Sequence, residues 1–269
     1  LGQVLERLGE RDLARDRYRV SLRLDPRHAD AAEASERLRA LGPAAPVAGP
    51  LPDLSGFEVT LLPFDAKDAE LLALAVPKAQ KALGLSFRVA QPATLLSPER
   101  VLRPGQYDAS ALLDAVVRHQ ETLKPAPACL VAVTSADIAT NDTNYLFAQS
   151  RGSRRAAVVS YARFRGANAT ATARRLSIQL SCSIGRSLGI SSCSDPGCVM
   201  AYPGSLEQFD KKQGTSCASC ARLLAAYVLE IQGKLQEAAR LLEAHVLAMP
   251  EDEYAGKRLE ALRQRLDRK

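Results

Sequence analysis

The chain has 269 residues, of which 46% are hydrophobic and 25% are charged, and its formal net charge is +6. This is the composition of a globular protein with one or two domains, and no run of about 18 apolar residues is present to span a bilayer. The positive charge comes mostly from arginines that alternate with acids, and the locally basic stretch 151–165 matches no nucleic-acid-binding motif. We therefore expect a soluble protein with no membrane and no nucleic-acid partner.

Helical periodicity covers residues 1–41 and 221–268, where apolar positions recur every three or four residues. Both ends have a glycine, a small residue, a bulky residue and a proline at one spacing, which resembles the tetratricopeptide repeat of about 34 residues. Generic amphipathic hairpins remain the alternative, because that signature is degenerate. The pattern is already helical at Leu1, which predicts that more chain precedes it. The matching sets are Gly9, Ala14, Tyr18 and Pro26, and Gly233, Ala238, Leu242 and Pro250.

A different pattern, short β-rich runs alternating with helical stretches, begins after a linker rich in proline and glycine. It predicts an α/β fold with a mixed sheet. The predicted strands are 57–64, 86–90, 129–134 and 156–164, and the predicted helices are 68–83, 110–122 and 171–188. The predicted domains are helical hairpin and helix 1–41, linker 42–56, central domain 57–220 and C-terminal tetratricopeptide-like helices 221–269.

The segment 181–202, SCSIGRSLGISSCSDPGCVMAY, and the CASC at 217–220 carry the most information. They resemble the archaemetzincin family of metzincin-type zinc peptidases. In that family HExxHxxGxxH lies on a long helix and the turn after it, and Cys-x4-Cys-x-Met and a CxxC follow. Upstream blocks around 103–107, 131–150 and 158–164 occur in the family's order, so the resemblance covers about 57–224. The positions that match the second half of the motif are Gly189, Cys193, Cys198, Met200, Cys217 and Cys220.

The resemblance implies a metzincin-like mixed sheet, a long former active-site helix and a structural zinc on the four matching cysteines. Four thiolates in two close pairs suit a closed tetrahedral zinc site. Two disulfides or metal-free thiols are the alternatives, and disulfides would require an oxidising compartment. Zinc-binding thiols favour the cytoplasm, and the Ala, Arg and Leu bias suggests a bacterial source. The predicted zinc ligands are Cys193, Cys198, Cys217 and Cys220, with Met200 in the methionine turn.

The first half of the motif departs from the family. A hydrolytic zinc needs two imidazoles one helical turn apart, a third ligand past the glycine turn, and a carboxylate that takes a proton from bound water. None of those side chains is present, and Arg186 would place a permanent positive charge beside the dication. We therefore predict a pseudopeptidase without catalytic zinc; the alternative is an active zinc metallopeptidase with non-standard ligands. The residues at the degenerate positions are Cys182, Ser183, Arg186 and Ser192, with Gly189 retained.

A binding or scaffold role follows from this loss of catalytic residues. The persisting cleft would bind a protein or peptide partner, and Arg186 is the candidate ligand for a carboxylate. A purely structural domain inside a longer repeat protein is the other possibility. Cys129 and Cys182 are expected to be small core residues rather than nucleophiles, because no base is placed beside them.

Overall fold

The computed structural model describes residues 2–7, 14, 18, 30–40, 51–164, 168–203, 205–249 and 252–268. None of the described helices is long and apolar enough to cross a membrane. In chain order the elements are α1 (Gly2–Arg7), α2 (Ala31–Ala40), β1 (Glu58–Pro63), α3 (Ala66–Leu83), β2 (Ser86–Val89), β3 (Val101–Arg103), β4 (Gln106–Asp108), α4 (Ala109–Thr122), β5 (Cys129–Thr134), β6 (Asp137–Ala139), β7 (Ala148–Arg151), β8 (Ala156–Ser160), α5 (Ala169–Ser187), α6 (Leu206–Lys211), α7 (Ala218–Ile231), α8 (Leu235–Ala248) and α9 (Glu253–Asp267).

A five-stranded sheet in the order β2-β1-β5-β8-β7 forms the centre of the fold. Its first four strands are parallel, and β7 pairs antiparallel with β8 at the edge. Every residue of β5 and β8 is buried, which explains their continuous apolar sequence. A second sheet, in the order β3-β4-β6, is smaller. The predicted α/β fold with a mixed sheet is confirmed.

The long helix α5 packs against the five-stranded sheet. Asn168 caps its first turn by accepting a hydrogen bond from the Ala171 amide. Its apolar residues recur at every fourth position and are fully buried, which is the pattern of a helix with one face in the core. After Ser187 the chain turns at Gly189, whose φ of 103° disfavours any residue with a Cβ.

One predicted strand is too long. Strand β8 ends at Ser160, whereas residues 162–164 form a short 3-10 helix. The Ser160 hydroxyl accepts a hydrogen bond from the Ala162 amide, and the Phe164 amide bonds to the Tyr161 carbonyl. These local bonds offer the backbone an alternative to continued strand pairing.

The C-terminal helices share one hydrophobic core with the central sheet. Helix α7 is buried along most of its length, and the core cluster runs from Leu54 to Leu262. Gly233 makes the turn between α7 and α8 with a φ of 79°. The domain boundary at 220 and the tetratricopeptide assignment stay predictions. Of the residues used for that assignment, Ala14, Tyr18, Ala238 and Leu242 are buried, whereas Gly9, Pro26 and Pro250 lie outside the described residues.

A series of hydrogen-bonded polar side chains joins the three C-terminal helices. His245, only 2% exposed, hydrogen-bonds through Nδ1 to the Ser219 hydroxyl and through Nε2 to Asp252, both at 3.0 Å. Asp252 also caps α9, because its other carboxylate oxygen accepts from the Ala255 amide. The hydrogen bond from His245 holds the pKa of the Asp252 carboxyl below its usual value, against the opposing effect of burial. We interpret these hydrogen bonds as structural, since the Asp252 carboxylate is already used as a helix cap.

We expect Asp252→Asn to lower the free energy of unfolding by about 1–2 kcal/mol at pH 7. Asparagine keeps the cap but loses the charge that His245 stabilises. A depressed folded-state pKa stabilises the fold above the unfolded value of about 3.9 and ceases to do so as pH falls through the folded value. The deficit relative to wild type should therefore shrink below about pH 4. Urea unfolding at several pH values measures it.

Asp108→Asn is the matched control, because Asp108 caps α4 through the Ser110 and Ala111 amides. Asparagine caps about as well as aspartate, so this change should cost less than about 0.5 kcal/mol. A deficit in Asp252→Asn that does not vary with pH would contradict the assigned role of the charge.

Candidate functional site

Four cysteines converge where the loop after α5 meets the start of α7. Their sulfur atoms all lie within 4.8 Å of one another, and the Cys193 and Cys217 sulfurs are 3.7 Å apart. A tetrahedral zinc with Zn–S bonds of about 2.3 Å places its sulfurs about 3.8 Å apart. All six cysteines are free thiols, so this cluster is not a pair of disulfides. The cluster consists of Cys193, Cys198, Cys217 and Cys220.

Backbone amides donate to these sulfur atoms. Hydrogen bonds from the other three cysteines and from the Cys217 amide hold the pKa of Cys198 far below its usual range. The pKa of Cys220 is raised instead, because it hydrogen-bonds the same neighbours and is buried. The two opposite shifts belong to the group of interacting thiols as a whole rather than to either residue alone. The amide-to-sulfur distances are 3.3 Å from Asp195 to Cys193, 3.4 Å from Met200 to Cys198, 3.3 Å from Cys217 to Cys198, and 3.5 Å from Cys220 to Cys217.

This donor set fits a zinc ion. A dication would allow all four thiols to ionise together, which their mutual repulsion otherwise prevents. The sulfur spacing, the amide donors and the free thiols all agree with that occupant. Such a site is closed, because four protein ligands leave no position for water or substrate.

A groove of about 500 Å³ lies beside α5. Residues 148–150 of the edge strand β7 line the groove. Pro203 and the exposed side chain of Tyr202 also line it. The lining holds no aspartate, glutamate or histidine among the described residues. From α5 itself the groove is lined by Gln179, Cys182, Ser183 and Arg186.

The degenerate motif positions lie in and around this groove. Cys182 is 3% exposed and Ser183 is fully buried. Arg186 donates a hydrogen bond of 2.7 Å to the Ser192 hydroxyl, so the fold brings positions 186 and 192 into direct contact. Ser192 lines a smaller pocket beside the cysteines rather than the groove. Among the described residues, the group of side chains suited to hold a metal is the four-cysteine cluster.

Met200 packs beneath α5. It is 1% exposed, and a Cβ added at Gly185 would lie 2.4 Å from its sulfur atom. Glycine at position 185 therefore leaves room for the Met200 side chain against the helix. The Cys193 amide donates to the Met200 carbonyl, which joins this turn to the cysteine cluster. Met200 is therefore packed against α5 in this structure, and its role in a methionine turn stays a prediction.

Lys212 is a buried cation that the sequence did not reveal. Its ammonium group donates to the carbonyls of Val199 and Ala201, on either side of Met200. Burial lowers the pKa of Lys212. A lysine in a polar stretch gives no sequence signal of burial, because lysine is usually exposed. Lys212 therefore holds the backbone on both sides of Met200.

A mixed sheet, a long helix ended by a glycine turn, and a methionine turn beneath that helix define the metzincin type of zinc peptidase. The fold is similar to archaemetzincin from Methanopyrus kandleri, with a TM-score of 0.57 and 27% identity over 66% of this chain and 98% of that one. The crystal structure of archaemetzincin from Archaeoglobus fulgidus in complex with malonate matches with a TM-score of 0.51. Its sequence is 25% identical over 61% of this chain and 98% of that one. Residues 74–226 match the model of peptidase family M54. The chain belongs to that family.

Sequence relatives agree with this assignment. The archaemetzincin of Methanopyrus kandleri is 33% identical over 120 residues, which are 45% of this chain and 66% of that protein. That of Saccharolobus solfataricus is 39% identical over 51 residues, 19% of this chain and 28% of that protein. The matched stretches therefore span less than two thirds of these relatives. The resemblance to archaemetzincins is confirmed.

Proposed function

We propose that this chain is a catalytically inactive member of its family that acts as a binding or scaffold module. The observation that carries the proposal is the contact between Arg186 and Ser192. It places a guanidinium, which stays charged at any accessible pH, at the position of two family zinc ligands. A charge of that sign repels a dication. Ser183, at the position of the family's glutamate, has only a hydroxyl and cannot act as a carboxylate base.

The four-cysteine cluster supports the second part of the proposal, one structural zinc. Zinc bound there would supply folding free energy rather than Lewis-acid chemistry. Cys193 and Cys198 lie on the loop after α5, whereas Cys217 caps α7 and Cys220 lies in its first turn. The cluster therefore joins the groove-forming helix to the C-terminal helices.

The groove supports the third part, a polypeptide ligand. Its volume of about 500 Å³ is typical of ligand sites, which span about 300–1,000 Å³. Arg186 is a lone positive charge among the described lining residues. An anionic group, in practice a carboxylate, suits that site. Reduced thiols for zinc make the cytoplasm the proposed location.

Incubation of the zinc-loaded chain with casein and with a mixture of short peptides tests the inactivity. We expect no cleavage above the level of an Arg186→Ala variant purified in the same way. Trace cleavage equal in both samples would come from a contaminating protease. Cleavage that a chelator abolishes, and that Cys182→Ala removes, would contradict the proposal and favour an active peptidase with non-standard ligands.

A further inference from the structure

We infer that the groove binds the C-terminal end of a polypeptide, with its carboxylate on Arg186 and a backbone N–H on Gln179. This inference rests on the proposed binding function and names its ligand. Both residues lie on α5 and line the groove.

Arg186 supplies the anion site. A guanidinium has five N–H donors, and the hydrogen bond to Ser192 uses one of them. No carboxylate pairs with Arg186 in the part of the chain that the structure describes. The hydrogen bond from Arg186 to Ser192 holds the guanidinium in one place, which reduces the conformational entropy lost when an anion binds. A planar carboxylate matches the remaining N–H groups.

Gln179 supplies an acceptor that lacks a donor. Its side chain is 6% exposed, and its amide nitrogen donates to the Ser183 hydroxyl at 3.1 Å. Its carbonyl oxygen is buried and has no hydrogen-bond partner. Buried carbonyl oxygens of this kind are rare, because an unpaired polar group carries a free-energy cost. A ligand N–H that entered the groove would remove that cost.

The spacing of the two residues sets the length of the ligand. They are seven positions apart on α5, which is roughly 10 Å along the helix axis at about 1.5 Å per residue. An extended peptide covers about 3.3 Å per residue, so about three residues bridge the two groups. The carboxylate at Arg186 and the N–H of the third residue from the end would then be bound together.

The loop after α5 favours a chain end over an internal acidic residue. Gly189 and Ile190 line the groove next to Arg186, and the loop returns to Arg186 at Ser192. A peptide that continued beyond Arg186 would run toward this loop. A terminal carboxylate needs no such continuation, and every polypeptide has one.

Fluorescence anisotropy with the zinc-loaded full chain tests the inference. The probes are a library of tetrapeptides labelled at the N-terminus, each made with a free C-terminal carboxylate and as the C-terminal amide. Members that bind should prefer the carboxylate form by at least about tenfold. Arg186→Ala should reduce this preference to about one, whereas Arg186→Lys should keep part of it because the charge remains.

Two further variants separate the contributions. Gln179→Met should weaken the carboxylate and amide forms by the same factor, because it removes the acceptor and leaves Arg186 in place. Arg118→Ala, which removes an exposed guanidinium of α4 outside the groove, should change neither affinity.

Equal affinity for the two forms, binding that follows internal aspartate or glutamate, or no binding by any library member would each overturn the inference. None of these results would restore peptidase activity, so the proposed inactivity would stand. Chelator-sensitive cleavage of the probes would instead overturn the proposed function itself.

Discussion

Cys198→Ser is expected to reduce bound zinc from one atom per chain to almost none and to lower the free energy of unfolding by about 5 kcal/mol or more. Structural zinc in small domains is worth about 10–16 kcal/mol at neutral pH, comparable to the total stability of a typical domain of about 5–15 kcal/mol. Cys198 is the most informative ligand to change, because its sulfur accepts hydrogen bonds from two backbone amides. Elemental analysis after dialysis against a mild chelator counts the zinc, and thermal unfolding measures the loss.

Cys129→Ser is the matched control. It makes the same chemical change in a buried strand, where burial raises the pKa of the thiol to about 12. Its stability should fall by about 1–3 kcal/mol, because a hydroxyl is left without a partner, while zinc stays at one per chain. X-ray absorption should find four sulfur ligands. Two zinc atoms per chain, or nitrogen ligands, would contradict a single structural site.

The fold could be predicted where the signal is local and strong. Strands β1, β5 and β8 are apolar runs, and α5 repeats its buried residues at helical spacing, so hydrophobic pattern alone locates them. Each cysteine pair was visible as a short spacing in the sequence, but the resemblance to archaemetzincins is what predicted that the two pairs form one site. These features depend little on what packs against them.

Other parts of the fold depend on distant partners. Strands β3, β4, β6 and β7 have only three or four residues each, and their pairing determines that they are strands at all. Asp68 is another example, since its buried carboxylate accepts from the hydroxyl of Tyr161, 93 positions away. Burial raises the pKa of Asp68. No local pattern distinguishes this residue from an exposed helical aspartate.

The candidate site likewise combines features that the sequence shows with contacts that only the fold creates. The degenerate motif positions were visible in the sequence, but the contact between Arg186 and Ser192 depends on the turn at Gly189. Gln179 could not be selected, because a glutamine on a helix gives no sign that its carbonyl oxygen will be buried and unpaired. In both cases the sequence does not show which groups the fold places next to these side chains.

Restoring the family motif is expected to create a second zinc site. The variant carries Cys182→His, Ser183→Glu, Arg186→His and Ser192→His. Positions 182 and 186 are one helical turn apart, and 186 and 192 already touch, so three imidazoles can reach one ion. Zinc content should rise from one to two atoms per chain, and the second should show nitrogen ligands by X-ray absorption. No second zinc would mean that the groove lacks metzincin geometry despite its fold.

The three-histidine variant that retains Ser183 separates metal binding from catalysis. It should bind the second zinc and yet cleave peptides at least about 100-fold more slowly than the four-residue variant, because a general base contributes about 10²–10⁴ in rate. Equal rates in the two variants would show that the carboxylate is dispensable, and would weaken the case against activity in the natural chain. A slower three-histidine variant would assign the missing general base to position 183, where this chain has a serine.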